Sequence, residues 1–286
     1  MTTAKAKILL ALVFIARGTS FLFSKTLMQD MTPLSILAVR FILAFLVLAV
    51  VFHKKLRACD KKSFTGGVIL GALYTLCMVL EMYGLRLVDT GVAALIENMA
   101  IVLVPLYAAV LTRTLPKKKT MLCAALAVAG VGFLSLAQSS VRGGGVGILL
   151  TILAALTYGV CIMATESVSR DAEPVAIGII QLGVMGVLSL LIALPVEGLH
   201  FPKTGQQWAM MLMLVLVCSC FGFAFQPVGQ KYVPAETAAV FTAINPLAAS
   251  VLGITVAGES ISFSKGIGYV LILLALFLYN YHPRRP

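Results

Sequence analysis

Four ionisable residues stand where a chain rarely puts them. Arg17, Arg40, Glu81 and Glu97 each fall inside a long, predominantly apolar run. A charge in hydrocarbon costs about 2.5–3.5 kcal/mol on insertion scales, so one that is retained faces a partner, a wet cavity or a solute. An arginine so placed can meet a carboxylate. A glutamate can meet an ammonium group or carry a coupling proton. Amides and aromatics on the same runs (Asn98, Asn245, Tyr74, Tyr83, Tyr158, Gln181, Gln226) could line the same space.

The elements that position these residues are transmembrane helices. The 286-residue chain is 60% hydrophobic and 12% charged, with a mean hydropathy of +1.02. A soluble domain carries roughly twice that charge, about 25%. Apolar runs long enough to cross hydrocarbon recur along the chain. Spans are expected at 7–28, 34–53, 66–86, 90–112, 117–138, 145–168, 174–195, 207–229, 234–257 and 263–281, joined by short connections. Lys5 and Lys7 precede a run that reaches Met28 with no A-x-A cleavage pattern, so the first run reads as a retained helix.

The net charge of +11 would suggest nucleic acid in a soluble protein. Here Lys and Arg sit in the connections. If the N-terminus is cytoplasmic, fifteen lie inside (Lys5, Lys7, Lys54, Lys55, Arg57, Lys61, Lys62, Arg113, Lys117, Lys118, Lys119, Arg170, Lys231, Arg284, Arg285). Four lie outside (Arg86, Arg142, Lys203, Lys265). The positive-inside rule therefore explains the charge without nucleic acid, and ten spans put both termini in the cytoplasm of a multi-pass protein of the cell (plasma or inner) membrane.

The second half repeats the first. At an offset of 141 residues Gly18 meets Gly159, Asp30 meets Asp171 and Pro33 meets Pro174. Further on, Gly84-Leu85-Arg86-Leu87-Val88 meets Gly229-Gln230-Lys231-Tyr232-Val233, and Ala93-Ala94 meets Ala238-Ala239. The expected division is 1–143 and 144–286, with Gly143-Gly144-Gly145 as the hinge. Five spans per half is odd, so the second half enters from the opposite face. Inverted repeats of this kind recur in secondary transporters, with the solute near the midplane.

Depth groups the charges. Arg17 lies about ten residues into the first span, near mid-membrane at ~1.5 Å per residue. Arg40, Glu81 and Glu97 share a level on the order of 10 Å below the outer surface. Arg40 can therefore pair with one glutamate, leaving the other glutamate or Arg17 for solute or proton. Pro105 and Pro246 lie in the fourth and ninth spans, counterparts under the repeat, and each is expected to kink its helix. Tyr158 corresponds to Arg17 across the repeat. Lys25, Glu166 and Glu259 read as interfacial, and Glu236 as a helix-capping charge. Gly67-Val68-Ile69-Leu70-Gly71 suits close helix packing.

Six cysteines form no C-x-x-C pair, and Cys218 and Cys220 point to different faces of one helix, so no metal or other cofactor is expected. His53, His200 and His282 lie near span ends with no acid–base constellation, which argues against an embedded enzyme. A scaffold or receptor has no feature in its favour.

The chain resembles the EamA-like members of the drug/metabolite transporter superfamily. The resemblance rests on Gly18-Thr19-Ser20-Phe21 with Lys25, on Pro33 through Arg40-Phe41, on Lys231-Tyr232-Val233, on Asn245-Pro246 and on Gly258-Glu259. It implies ten helices in an inverted arrangement around a central cavity, and movement of amino acids, metabolites or drugs. The family motif carries an arginine at Arg40 whatever the substrate, which assigns Arg40 to a structural ion pair. Arg17 departs from the pattern, since members commonly carry Trp before that glycine. The resulting expectation is a secondary transporter of small solutes: an exporter of amino acids or related metabolites by alternating access, coupled to protons. Arg17, Glu81, Glu97, Asn98, Tyr158 and Asn245 would meet solute or proton. The alternative is an exporter of cationic, drug-like compounds. Partners are the solute and membrane lipid, and the protein is expected as a monomer or homodimer.

Overall fold

With no water in hydrocarbon to satisfy backbone N–H and C=O groups, apolar runs of this length close their hydrogen bonds internally as helices. The computed structural model describes residues 1–115, 118–138, 144–242 and 262–280. Asn245, Pro246, Gly258, Glu259, Lys117, Arg142, Gly143, His282, Arg284 and Arg285 lie outside the described residues, as does most of the ninth expected span. Every regular element among the described residues is helical.

The first span, Thr3–Leu27, consists of α1 (Thr3–Gly18) and α2 (Ser20–Leu27). Next come α3 (Pro33–Val51), the short α4 (His53–Arg57) and α5 (Lys61–Leu87). The fourth span, Thr90–Leu111, is divided into α6 (Thr90–Glu97) and α7 (Ala100–Leu111). Then follow α8 (Lys118–Gln138), α9 (Gly144–Ser169) and α10 (Pro174–Val196). The span Gly205–Gln230 contains α11 (Gly205–Met213), a π-helical stretch (Leu214–Phe223) and α12 (Gln226–Gln230). The chain continues with α13 (Ala235–Phe241) and α14 (Phe263–Asn280). Among the described residues, seven helical stretches are long and apolar enough to cross a membrane, with shorter apolar segments at Met121–Gly130 and Phe263–Ala275.

Local chemistry sets several helix starts. Pro33 and Pro174 sit in first turns, where a missing N–H costs nothing. Thr204 and Gln207 form a reciprocal capping box on α11. Asp60 accepts from the Ser63 amide at 3.0 Å and starts α5 five residues before the expected boundary. Hydrogen bonding from Ser63 holds the Asp60 carboxyl below the usual carboxylate range. Its capping contribution is therefore present at neutral pH, and it fades as pH falls from about 4 through the lowered folded value.

Helix α5 is the centre of the packing, lying against α9 and α10, while α3 lies along α10 and α14 along α8. Glycines permit the close approach. A Cβ added at Gly67 would stand 2.6 Å from Ile180 Cβ, and one at Gly71 2.5 Å from Val184 Cβ. The G-x-x-x-G of α5 is thus a seam against α10. Outward-facing Val50, Val110, Leu191 and Val270 are exposed, as apolar side chains facing lipid would be.

The ends of α5 identify two groups of loops. At its start, Lys55 pairs with Glu173 at 2.8 Å, Lys231 donates to the Ala172 carbonyl at 2.8 Å, and Glu166 holds both Arg170 and the Ala235 amide. At its far end, Tyr83 donates to Glu197 at 2.6 Å and Gln207 to Asp30 at 2.8 Å, while Lys25 reaches the Val88 carbonyl and Lys265 pairs with Asp89.

We expect Gly67→Ala and Gly71→Ala each to destabilise the protein by about 1–3 kcal/mol through overpacking. Gly132, where an added Cβ meets nothing within 4 Å, is the control. Thermal unfolding in detergent checks this: equal melting temperatures for all three variants would show that the seam is not close-packed.

Candidate functional site

Arg17, Arg40, Glu81 and Glu97 are all buried, none more than 5% exposed. Two sit at interruptions. Arg17 lies in the last turn of α1, just before the break at Thr19, where a cation complements the helix dipole. Glu97 ends α6, immediately before the break at Asn98–Met99. Arg40 and Glu81 lie within the unbroken helices α3 and α5.

Arg17 is enclosed by aromatic faces. Its guanidinium carbon is 4.1 Å from the ring centre of Phe223, 5.0 Å from Tyr158, 5.9 Å from Tyr74 and 6.0 Å from Phe14. Ring quadrupoles attract a cation at these distances without neutralising it. One N–H donates to Gln226 Oε1 at 2.5 Å. Gln226 donates in turn to the Tyr74 hydroxyl at 2.9 Å and to Gln230 Oε1 at 2.8 Å, and Gln230 donates to the Ile162 carbonyl at 3.0 Å. The stem of Arg17 crosses the π-helical stretch at Gly222, where a Cβ would stand 2.7 Å from Arg17 Cγ.

Arg40 corrects an expectation. It makes no ion pair among the described residues; its Nε donates to Ser219 Oγ at 2.6 Å, and Nη2 is buried without a partner. Its guanidinium carbon lies 5.0 Å from the Phe41 ring centre and 5.6 Å from that of Phe223. Phe223 therefore lies close to both arginines. Glu81 sits near both guanidiniums, and its carboxyl is within hydrogen-bonding reach of that of Glu97. The shared depth of Arg40, Glu81 and Glu97 placed them at one level, while azimuth turned the carboxyls toward each other.

Asn98 lies at the α6–α7 break, where its amide donates back to the Ala94 carbonyl at 2.9 Å and its Oδ1 is buried and unpaired. The fourth span is interrupted there. Pro105 lies inside the continuous α7, so the kink expected of it falls a turn or more earlier. An amide that bonds its own i−4 carbonyl competes with the backbone ladder, and the missing N–H of Pro105 weakens the turn that follows. The Tyr158 hydroxyl and Glu97 Oε2 are also buried without hydrogen-bond partners among the described residues. Among the described residues no group of three or more His, Cys, Asp or Glu is placed to hold a metal.

Sequence reasoning missed Phe14, Phe223, Ser219 and Gln230. The i, i+3 spacing of Phe14 to Arg17 and the i, i+4 spacing of Gln226 to Gln230 carried a signal. Ser219 and Phe223 carried none, because their orientation depends on the π-helical register.

A multi-pass helical membrane protein with a charged, aromatic-walled centre is the class that this fold and site define. The chain belongs to the EamA-like transporter family, whose profile matches residues 4–136 and again 145–281. It is similar to a Bacillus subtilis (strain 168) protein named "Uncharacterized transporter YwfM", at 25% identity over 265 residues, 90% of this chain and 87% of that protein. An Archaeoglobus fulgidus protein named "Uncharacterized transporter" is 26% identical over 274 residues, 94% of this chain and 83% of that one. A crystal structure at 16% identity covers 100% of both chains with a TM-score of 0.72, so the fold is shared. The protein is a membrane transporter.

Two variants separate structural from solute-facing roles. Gln226→Leu deprives Arg17 of its hydrogen-bond acceptor and should lower stability by about 1–3 kcal/mol. Tyr158→Phe deletes an unpaired hydroxyl and should leave the melting temperature unchanged or higher. A large stability loss in Tyr158→Phe would mean that the hydroxyl is bonded within the fold.

Proposed function

We propose that this transporter is a secondary exporter of amino acids or related metabolites, working by alternating access between two inverted halves, 1–143 and 144–286, with ten spans and both termini cytoplasmic. The observation that carries the reading is Arg17: a permanently charged guanidinium, buried in an aromatic box, with only one of its N–H groups hydrogen-bonded among the described residues. A solute carboxylate is the natural counterpart for the remaining N–H groups. The Glu81–Glu97 pair is the candidate carrier for a coupling proton.

Packing supports the inverted repeat. Numbered as expected spans, the third lies against the sixth as the eighth lies against the first, and the third against the seventh as the eighth against the second. The second pairs with the seventh and the fifth with the tenth, so each contact has its exchanged counterpart. The two consecutive matches of the family profile agree with this division. Lys54, Lys55, Arg57, Lys61, Lys62, Arg170 and Lys231 belong to the loops around the start of α5, which favours that end as cytoplasmic. Export of cationic compounds remains the second reading, favoured by the carboxyl pair and the aromatic walls. Two guanidiniums beside that pair weigh against it.

Flux in proteoliposomes tests the proposal. Arg17→Gln should reduce efflux of carboxylate-bearing amino acids by at least about tenfold, equivalent to 1.4 kcal/mol. Efflux should also respond to an imposed pH gradient. Undiminished amino-acid flux through Arg17→Gln would make the arginine purely structural and remove the basis for this substrate class.

A further inference from the structure

The buried centre does not balance its own charge. Arg17 and Arg40 cannot shed their protons, so they contribute two positive charges. Against them stand Glu81 and Glu97, whose carboxyl groups are within hydrogen-bonding reach of each other. An ionised carboxylate only accepts, so a hydrogen bond between two carboxyls contains at least one proton, and the pair carries no more than one negative charge. The tyrosines and cysteines around them (Tyr74, Tyr158, Cys77, Cys161, Cys218) are neutral when protonated and add nothing.

Other charged span residues, Lys7, Lys25, Arg86, Glu166 and Lys265, lie at span ends, where Lys7 and Arg86 are exposed and Lys265 pairs with Asp89. Lys25 reaches the Val88 carbonyl at the far end of α5, and Glu166 is held by Arg170 and the Ala235 amide at the opposite end. Residues 120–138 and 237–258 contain no Asp, Glu, Lys or Arg. At least one net positive charge remains at the centre. Neither guanidinium forms an ion pair among the described residues, and Arg40 Nη2 is buried without a partner. Hydrogen bonds to Gln226 and Ser219, and the aromatic faces, ease the burial of the cations but bring no negative charge.

We propose, resting on the carboxylate-exporter reading above, that the preferred solute is a net monoanion: a carboxylate on a compact apolar or aromatic body, with no ammonium group needed. Its carboxylate supplies the charge that the centre lacks, and its body lies among the rings that enclose Arg17. The carboxyl pair makes a poor ammonium receptor, because it carries at most one negative charge and stands beside two guanidiniums. A zwitterion would leave the excess charge in place, and a cation would add to it.

The test holds the side chain constant and steps the net charge from +1 through 0 to −1. Full-length protein in nanodiscs is titrated with phenylalanine amide (cation), phenylalanine (zwitterion) and N-acetylphenylalanine (monoanion), and with the same three forms of alanine. The monoanions should bind at least about tenfold more tightly than the cations, with the zwitterions between, and Arg17→Gln should abolish the ranking. The wild-type ranking stands even if that variant fails to fold. Zwitterion binding with the N-acetyl forms refused would overturn the charge inference and leave the amino-acid exporter intact. Tightest binding by the amides, or no binding by any of the six, would overturn both.

Discussion

A guanidinium buried in a membrane protein cannot escape its cost by losing a proton, so the structure around it must accommodate the charge. Arg17 imposes that constraint here. Its one hydrogen bond to Gln226 extends through Tyr74 and Gln230 to the Ile162 carbonyl, linking α1, α5, α9 and α12. The rings of Phe14, Tyr74, Tyr158 and Phe223 come from four separate helical elements. Moving any of these helices independently would leave either the cation or one of the amides without its partner.

The irregular backbone lies beside the charges. Breaks at Thr19 and Asn98–Met99 adjoin Arg17 and Glu97, and the π-helical stretch supplies Ser219 to Arg40, Phe223 to both arginines and Gly222 beneath the stem of Arg17. Irregular backbone at membrane depth is tolerated where it is enclosed by protein or lines a polar space. π-Helical turns are likewise frequent at functional sites. The placement of the interruptions and the placement of the charges therefore point to the same centre.

Much of this was legible in the sequence for identifiable reasons. Apolar length located the seven spans found among the described residues, and the out-of-place Arg17, Arg40, Glu81 and Glu97 stood out as buried charges without any structure. The G-x-x-x-G of α5 announced its seam. Counting residues along a helix gives depth but not rotation, so Arg40 could be assigned to the level of the glutamates yet not to its partner. That partner, Ser219, is an ordinary small polar residue in an apolar helix and carries no signal of its own. The break after Glu97 was displaced from Pro105 because the Asn98 side chain, rather than proline alone, competes for the backbone.

The glycine seam also restricts how the molecule can change shape. Val168, Ile180 and Val184 are β-branched and stiff, and they sit where α5 presents Gly66, Gly67 and Gly71. Sliding α5 along α9 or α10 by one residue would drive neighbouring side chains into those notches, so the three helices are keyed against shear. Bending is left to the places where the hydrogen-bond ladder is already interrupted: Thr19, Asn98–Met99 and the π-helical stretch with the turn at Ala224–Phe225. The interruptions of the helices thus lie beside the charges, while three glycines key the central helices together.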